Sequence, residues 1–145
     1  MAMTTLRWLV SPEVAGELGE NTAIDSSVHP PRVSRLHHRF EGWLGDDLLE
    51  VFPCFLVSSE LAQALRASGL VGFELDVVEL SKSPEFEIMY PDRALPSFLW
   101  LKVIGTEGDD FRLRADCRLE VSQRALELLR RYKLENAAVE LACEF

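Results

Sequence analysis

The chain has 145 residues, 48% hydrophobic and 27% charged, the size and composition of one domain able to bury its own core, so residues 1–145 are read as a single domain. Its 24 acidic residues against 15 basic ones leave a formal net charge of −9, which disfavours a nucleic-acid phosphate backbone as partner and favours encounter with a basic protein, although acidity also serves plain solubility. No run approaches the roughly 18 apolar residues that span a bilayer, and the longest candidate, 51–57, is interrupted by Pro53, so no membrane association is expected.

In chain order, residues 6–10 are apolar and β-compatible and predict a first strand, stopped by Ser11 and Pro12. Residues 12–39 lose periodicity and hold Gly16, Gly19, Ser26, Ser27 and His29-Pro30-Pro31, the composition of a long surface connection with at most a short helix at 13–18. After the turn at Gly45-Asp46-Asp47, the apolar run 48–57 predicts one strand. Ser58 or Ser59 is then a natural cap for a helix over 60–68, with Leu61, Ala62, Ala64 and Leu65 as its apolar stripe and Gly69 just past its end. Residues 73–80 largely alternate and read as a strand, 86–90 as a short β segment stopped by Pro91, and 97–104 with 111–119 as a hairpin around the turn cluster 105–110. A second helical stripe follows Ser122 through Ala125, Leu126, Leu129 and Tyr132, and 139–145 closes the chain as a strand. Strands with two main helices predict an α+β fold: a mixed or mainly antiparallel sheet with both helices packed on one face.

The residues that carry chemistry are sparse. Cys54, Cys117 and Cys143 are too few and too scattered for a disulfide framework and read as small core residues. Together with a first decade whose apolar burst is too short for a secretory signal, they place the chain in a reducing cytoplasm. Neither thiol chemistry nor a zinc site has a spaced partner set. His37 and His38 are adjacent, so they point to different sides of a strand or helix and cannot hold one ion together, and His29 sits in a proline loop. The acidic groups around Asp46-Asp47, Glu74-Asp76-Glu79 and Glu107-Asp109-Asp110 lack a calcium-loop pattern and read as solvated faces. No catalytic residue, cofactor or metal is therefore expected. Trp43, in a loop beside two aspartates, is the tryptophan best placed to anchor an interface, whereas Trp100 sits in a strong strand and reads as core. Arg32, Arg35, Arg39 and the histidine pair form a local basic stretch that reads as solvated loop or as a dock for an acidic tail.

An echo at an offset of 64 residues runs through the chain: Val57-Ser58 matches Val121-Ser122, Leu65-Arg66 matches Leu129-Arg130, Leu70 matches Leu134, and Leu75-Asp76 matches Val139-Glu140. It is consistent with an internal strand–helix–strand repeat, and equally with two units that share parts because a helix across a sheet needs a cap, a stripe and an anchor. Over these two segments, 57–75 and 121–141, the chain resembles small bacterial immunity-type proteins of polymorphic toxin systems, across about a third of its length. Some relatives in that group carry Cys-x-x-Cys pairs; this sequence has none, so no metal role is carried over. The resemblance implies a protein that neutralises a cognate toxin by occluding it, without catalysis.

Two functions from different classes are thus expected. The first is a protein-binding domain that meets a basic partner such as a toxin domain, through Trp43, Asp46, Asp47, Glu107, Asp109 and Asp110. The alternative is a small-molecule-binding protein or enzyme with a pocket between the 12–39 segment and the sheet.

Overall fold

A computed structural model describes residues 6–142 of the chain as an α+β fold. Two four-stranded antiparallel sheets share one plan. One runs in the order β6 (Leu48–Val51), β7 (Cys54–Ser58), β10 (Phe98–Val103), β8 (Phe73–Asp76), and the other β11 (Phe111–Leu113), β12 (Leu119–Ser122), β1 (Arg7–Ser11), β13 (Ala138–Leu141). In each, a hairpin leads into a helix, α1 (Ser59–Ser68) or α3 (Gln123–Leu129), which returns to the far strand. The strand between hairpin and far strand is supplied from elsewhere in the chain, β10 in the first sheet and β1 in the second. Even the registers agree: Phe98 faces Ser58 as Arg7 faces Ser122, and Trp100 faces Asp76 as Leu9 faces Glu140. The ladders therefore carry the 64-residue offset, but a common origin of the two units does not follow, since any hairpin–helix–strand unit calls for the same parts.

Both helices start as the serines predict. The Ser58 hydroxyl accepts from the Leu61 N–H at 3.3 Å and the Ser122 hydroxyl from the Ala125 N–H at 3.1 Å, satisfying amides that the helix itself leaves free. Gly69, at φ 77°, ends α1 in the left-handed conformation that a Cβ disfavours. The main core lies between the inner faces of the two sheets and the two helices: Leu48, Phe55, Val57 and Leu101 from one side, Val10, Phe111, Leu119 and Val121 from the other, closed by Leu61, Leu65, Leu126 and Leu129.

The sequence reading needs correction at five places. The 48–57 run is two strands folded about the turn at Phe52-Pro53; it lacks alternation because the β10 sheet is buried on both faces. The second face of that sheet packs Leu49, Leu56, Phe98 and Trp100 against a separate core containing Ala15, Leu36, Phe40 and Phe86. Apart from Phe86, that side of the core comes from residues 12–40, so the expected 12–39 connection is no loop but carries β2 (Gly16–Leu18), β3 (Ala23–Asp25), β4 (Arg32–Arg35) and most of β5 (His37–Phe40). The 73–80 segment divides into β8 and β9 (Glu79–Lys82), and β9 leaves the main sheet to pair in parallel with β5 beside β2. Residues 84–89 form a helix, α2 (Pro84–Met89), because Ser83 caps it and Pro84 suits its first turn. Finally, 97–104 and 111–119 are not a hairpin. β10 pairs with β7 and β8, while 111–119 folds back on itself at Cys117, which takes φ 67° in a turn rather than a strand. The closing strand is β13, and the part of the expected 139–145 strand beyond 142 lies outside the described residues.

Candidate functional site

The loop before β6 is held from beneath by Glu13, a buried carboxylate that accepts the Leu44 N–H at 2.6 Å and the Asp46 N–H at 3.2 Å. This fixes Trp43, whose indole N–H donates to the Asp46 carbonyl at 2.9 Å and whose ring meets Phe98 edge-on at 6.1 Å. The Arg93 guanidinium lies 5.2 Å over the same ring, so one face already holds a cation. Trp43 and Asp47 line one cleft of about 300 Å³ together with Ser59, Glu60 and Lys133, above the start of α1. Glu60 is exposed, and next to the cleft Leu44 is 70% exposed.

The expected acidic residues divide by burial. Asp46 is buried and its carboxylate accepts three hydrogen bonds, from the Glu135 and Asn136 backbone N–H groups and the Asn136 side-chain amide, at 2.8–3.1 Å. Asp47, half-buried, accepts the Lys133 N–H at 2.8 Å. Asp110 is buried at the matching place in the other unit. It accepts the Ser122 hydroxyl at 2.6 Å, the Val71 N–H at 2.9 Å and a two-pronged bond from Arg124 at 2.8 Å. Burial pushes the Asp110 carboxyl up, but these bonds and the Arg124 charge outweigh it and hold its pKa at about 2. Asp109 caps its own turn by accepting the Thr106 N–H, and Glu107 is exposed at the tip of that turn. The structure thus brings Trp43 and Asp47 to one cleft, and places Asp110 on a second cleft over α3 with Gly108 and Arg124. No described cleft is lined by members of both groups. Glu13 and Glu60 were not singled out in the sequence; only the fold brings Glu13 under a loop 31 residues away.

The 12–40 segment does form a cleft against the sheet, about 370 Å³, lined by Ser34, Leu36, Asp76, Val78, Glu79 and Trp100. Its neighbourhood contains the one close histidine–hydroxyl pair among the described residues. His37 Nε2 is 2.8 Å from Ser81 Oγ and 3.8 Å from Glu79 Oε2, while its Nδ1 accepts the Asn21 N–H at 3.2 Å. With Nδ1 accepting, the neutral ring carries its hydrogen on Nε2 and donates to Ser81, the reverse of a general base activating a hydroxyl. His38, fully buried against Phe40, has no hydrogen-bond partner on either ring nitrogen among the described residues. Burial, assisted by the neighbouring His37, lowers its pKa to about 4. Cys54 is likewise buried, its thiol pushed up to about 12, far from a reactive thiolate.

No helix of the described residues is long and apolar enough to cross a membrane. Among those residues no group of three or more His, Cys, Asp or Glu side chains is placed to hold a metal ion. Compared with protein-family models, curated proteins and solved structures, the chain finds no match.

Proposed function

We propose that the protein is a non-enzymatic, cytoplasmic protein-binding domain of the immunity type, which occludes a basic toxin domain. The observation that carries this reading is the cleft over α1. There the Trp43 indole, Asp47 and Glu60 line one cleft with Lys133, and Leu44, next to Trp43 in the chain, is exposed, so an apolar anchor stands beside two acidic residues that suit a basic protein surface. The net charge of −9 adds steering toward such a partner and away from nucleic acid. Glu107 and Asp109, on the turn beside the second cleft, would form a separate acidic contact, while Asp46 and Asp110 support the loops at the first and second cleft respectively.

The test is co-purification with the product of the neighbouring reading frame at low ionic strength, followed by charge reversal at two exposed acids, Glu60→Lys with Glu107→Lys. A salt-sensitive complex that the double variant weakens at least tenfold is expected. Recovery of no protein partner at low salt, or a complex indifferent to both salt and the two reversals, overturns the proposal. The alternative, a small-molecule site between the 12–39 segment and the sheet, is favoured by the cleft at Trp100 and Glu79, and saturable ligand binding lost in Trp100→Ala, against retained binding in Glu60→Lys, would support it.

A further inference from the structure

The three tryptophans differ in what their indole N–H meets. Trp8 donates to the Gln123 side chain at 2.6 Å and Trp43 to the Asp46 carbonyl at 2.9 Å. Trp100 is only 5% exposed, yet its N–H meets no acceptor among the described residues, and unlike the ring nitrogens of His38 it is not sealed from solvent. A buried indole normally finds a partner for this donor, so Trp100 presents one that only solvent or a ligand can serve.

Trp100 lines the cleft of about 370 Å³ between Arg35 and Leu36 on one side and the 76–79 segment on the other, room enough for a small metabolite. Both signs of charge stand there beside the indole. Glu79 accepts the Asn21 amide at 3.0 Å and Arg35 at 3.4 Å, while Asp76 accepts the Val77 N–H at 2.7 Å and the Lys102 ammonium at 3.1 Å. Lys102 also lies 4.6 Å over the Trp100 ring. The bond from the Val77 N–H, with that from Lys102, holds the Asp76 carboxyl below its ordinary range, and the bond from Asn21 does the same for Glu79, so both are charged. The two ion pairs are solvent-exposed and therefore weakly held, which leaves their members open to exchange with a ligand's charges. Val77 and Val78 add apolar surface on the same wall.

We propose that this cleft, the small-molecule alternative on which the assignment rests, binds a free α-amino acid with an aliphatic side chain. The ligand carboxylate accepts the Trp100 indole N–H and faces Arg35 and Lys102, the ammonium pairs with Asp76 and Glu79, and the side chain rests on Val77 and Val78. A simple amine leaves the indole donor unserved. A simple carboxylic acid, or a phosphate, meets Asp76 and Glu79 with no charge to offset them. Nothing in this site draws on the cleft over α1.

The test is calorimetric titration of the full chain with L-leucine, with 3-methylbutylamine, which lacks the carboxylate, and with N-acetyl-L-leucine, which lacks the ammonium. Saturable binding of L-leucine is expected, with both analogues at least tenfold weaker. Asp76→Asn, whose side chain is 44% exposed and keeps an oxygen for the Val77 N–H, is expected to weaken L-leucine at least tenfold, and Glu60→Gln, at the other cleft, to leave it unchanged within twofold. Trp100→Phe keeps an aromatic ring and removes the donor. It is expected to weaken L-leucine at least fivefold while the amine stays within twofold, a contrast that general loosening of the core would not produce. Either analogue binding as tightly as L-leucine, or equal weakening of L-leucine and the amine in Trp100→Phe, overturns the amino-acid assignment and leaves a small-molecule site of another class. If none of the three binds, the assignment and the small-molecule reading fall together.

Discussion

His38 is the residue whose setting departs furthest from its solution chemistry. Its ring is enclosed by Phe40 and the close backbone at Gly16, with no acceptor for the proton that an imidazolium must donate. The folded protein keeps it neutral down to about pH 4, whereas the unfolded chain takes up the proton near 6.5. The unfolded state therefore binds more protons between those values, and stability is full above about 6.5 and falls as pH drops through about 4. The loss amounts to about 3 kcal/mol. His38→Leu is expected to flatten this part of the stability curve in urea titrations, leaving a smaller decline below about pH 4 as Asp110 gives up its bonds. A variant that keeps the full slope between pH 6.5 and 4 would assign it to other groups. At this scale the sequence says little. Adjacent histidines read as an unpromising pair, and nothing local reveals that one is solvated by hydrogen bonds and the other by none.

Among the elements, the loops after the helices are held by carboxylates from the opposite unit. Asp46 and Asp47 fix 133–136 after α3, and Asp110 fixes Val71 after α1. Asp46→Ala removes the acceptor of two partly buried backbone N–H groups, those of Glu135 and Asn136, and a loss of about 1–3 kcal/mol is expected from chemical denaturation. Asp109→Ala, at a half-buried turn, is expected to cost about 1 kcal/mol or less. These pairings explain why acidic residues beside turns, which read as solvated or partner-facing, are partly consumed inside the fold. Elements with local signals were legible: α1 and α3 from Ser58, Ser122 and their stripes, β1 from its apolar run and proline stop. Those misread were set by distant contacts. The 48–57 run hides a turn because both its faces are buried, and 12–39 looks formless because its strands are short and β5 pairs with residues 42 positions away. Ser83-Pro84 was a readable start for α2, overridden by the aromatic content of Phe86 and Tyr90.

For the whole molecule, one core joins the two sheets and both helices, and each sheet borrows a strand from outside its own hairpin–helix unit. Neither half can melt while the other stays intact. Single-tryptophan variants retaining Trp8 or Trp100, one in each sheet, are expected to report the same denaturation midpoint as far-ultraviolet circular dichroism, as cooperative unfolding of one domain requires. Separate midpoints would divide the chain in two. The fold class was legible from the count and type of segments, but the assignment of strands to sheets was not, because pairing between residues more than 100 positions apart leaves no mark in local periodicity.

The placement of β1 also bears on synthesis. It is the first described strand to leave the ribosome, yet its two neighbours, β12 and β13, are among the last. Until they emerge, Trp8 and Val10 have no ladder to join, and closing so long a loop is entropically slow. The nascent chain must therefore carry an unmatched apolar strand until residues 119–141 have emerged, a period in which a chaperone that holds β1 would do the most good.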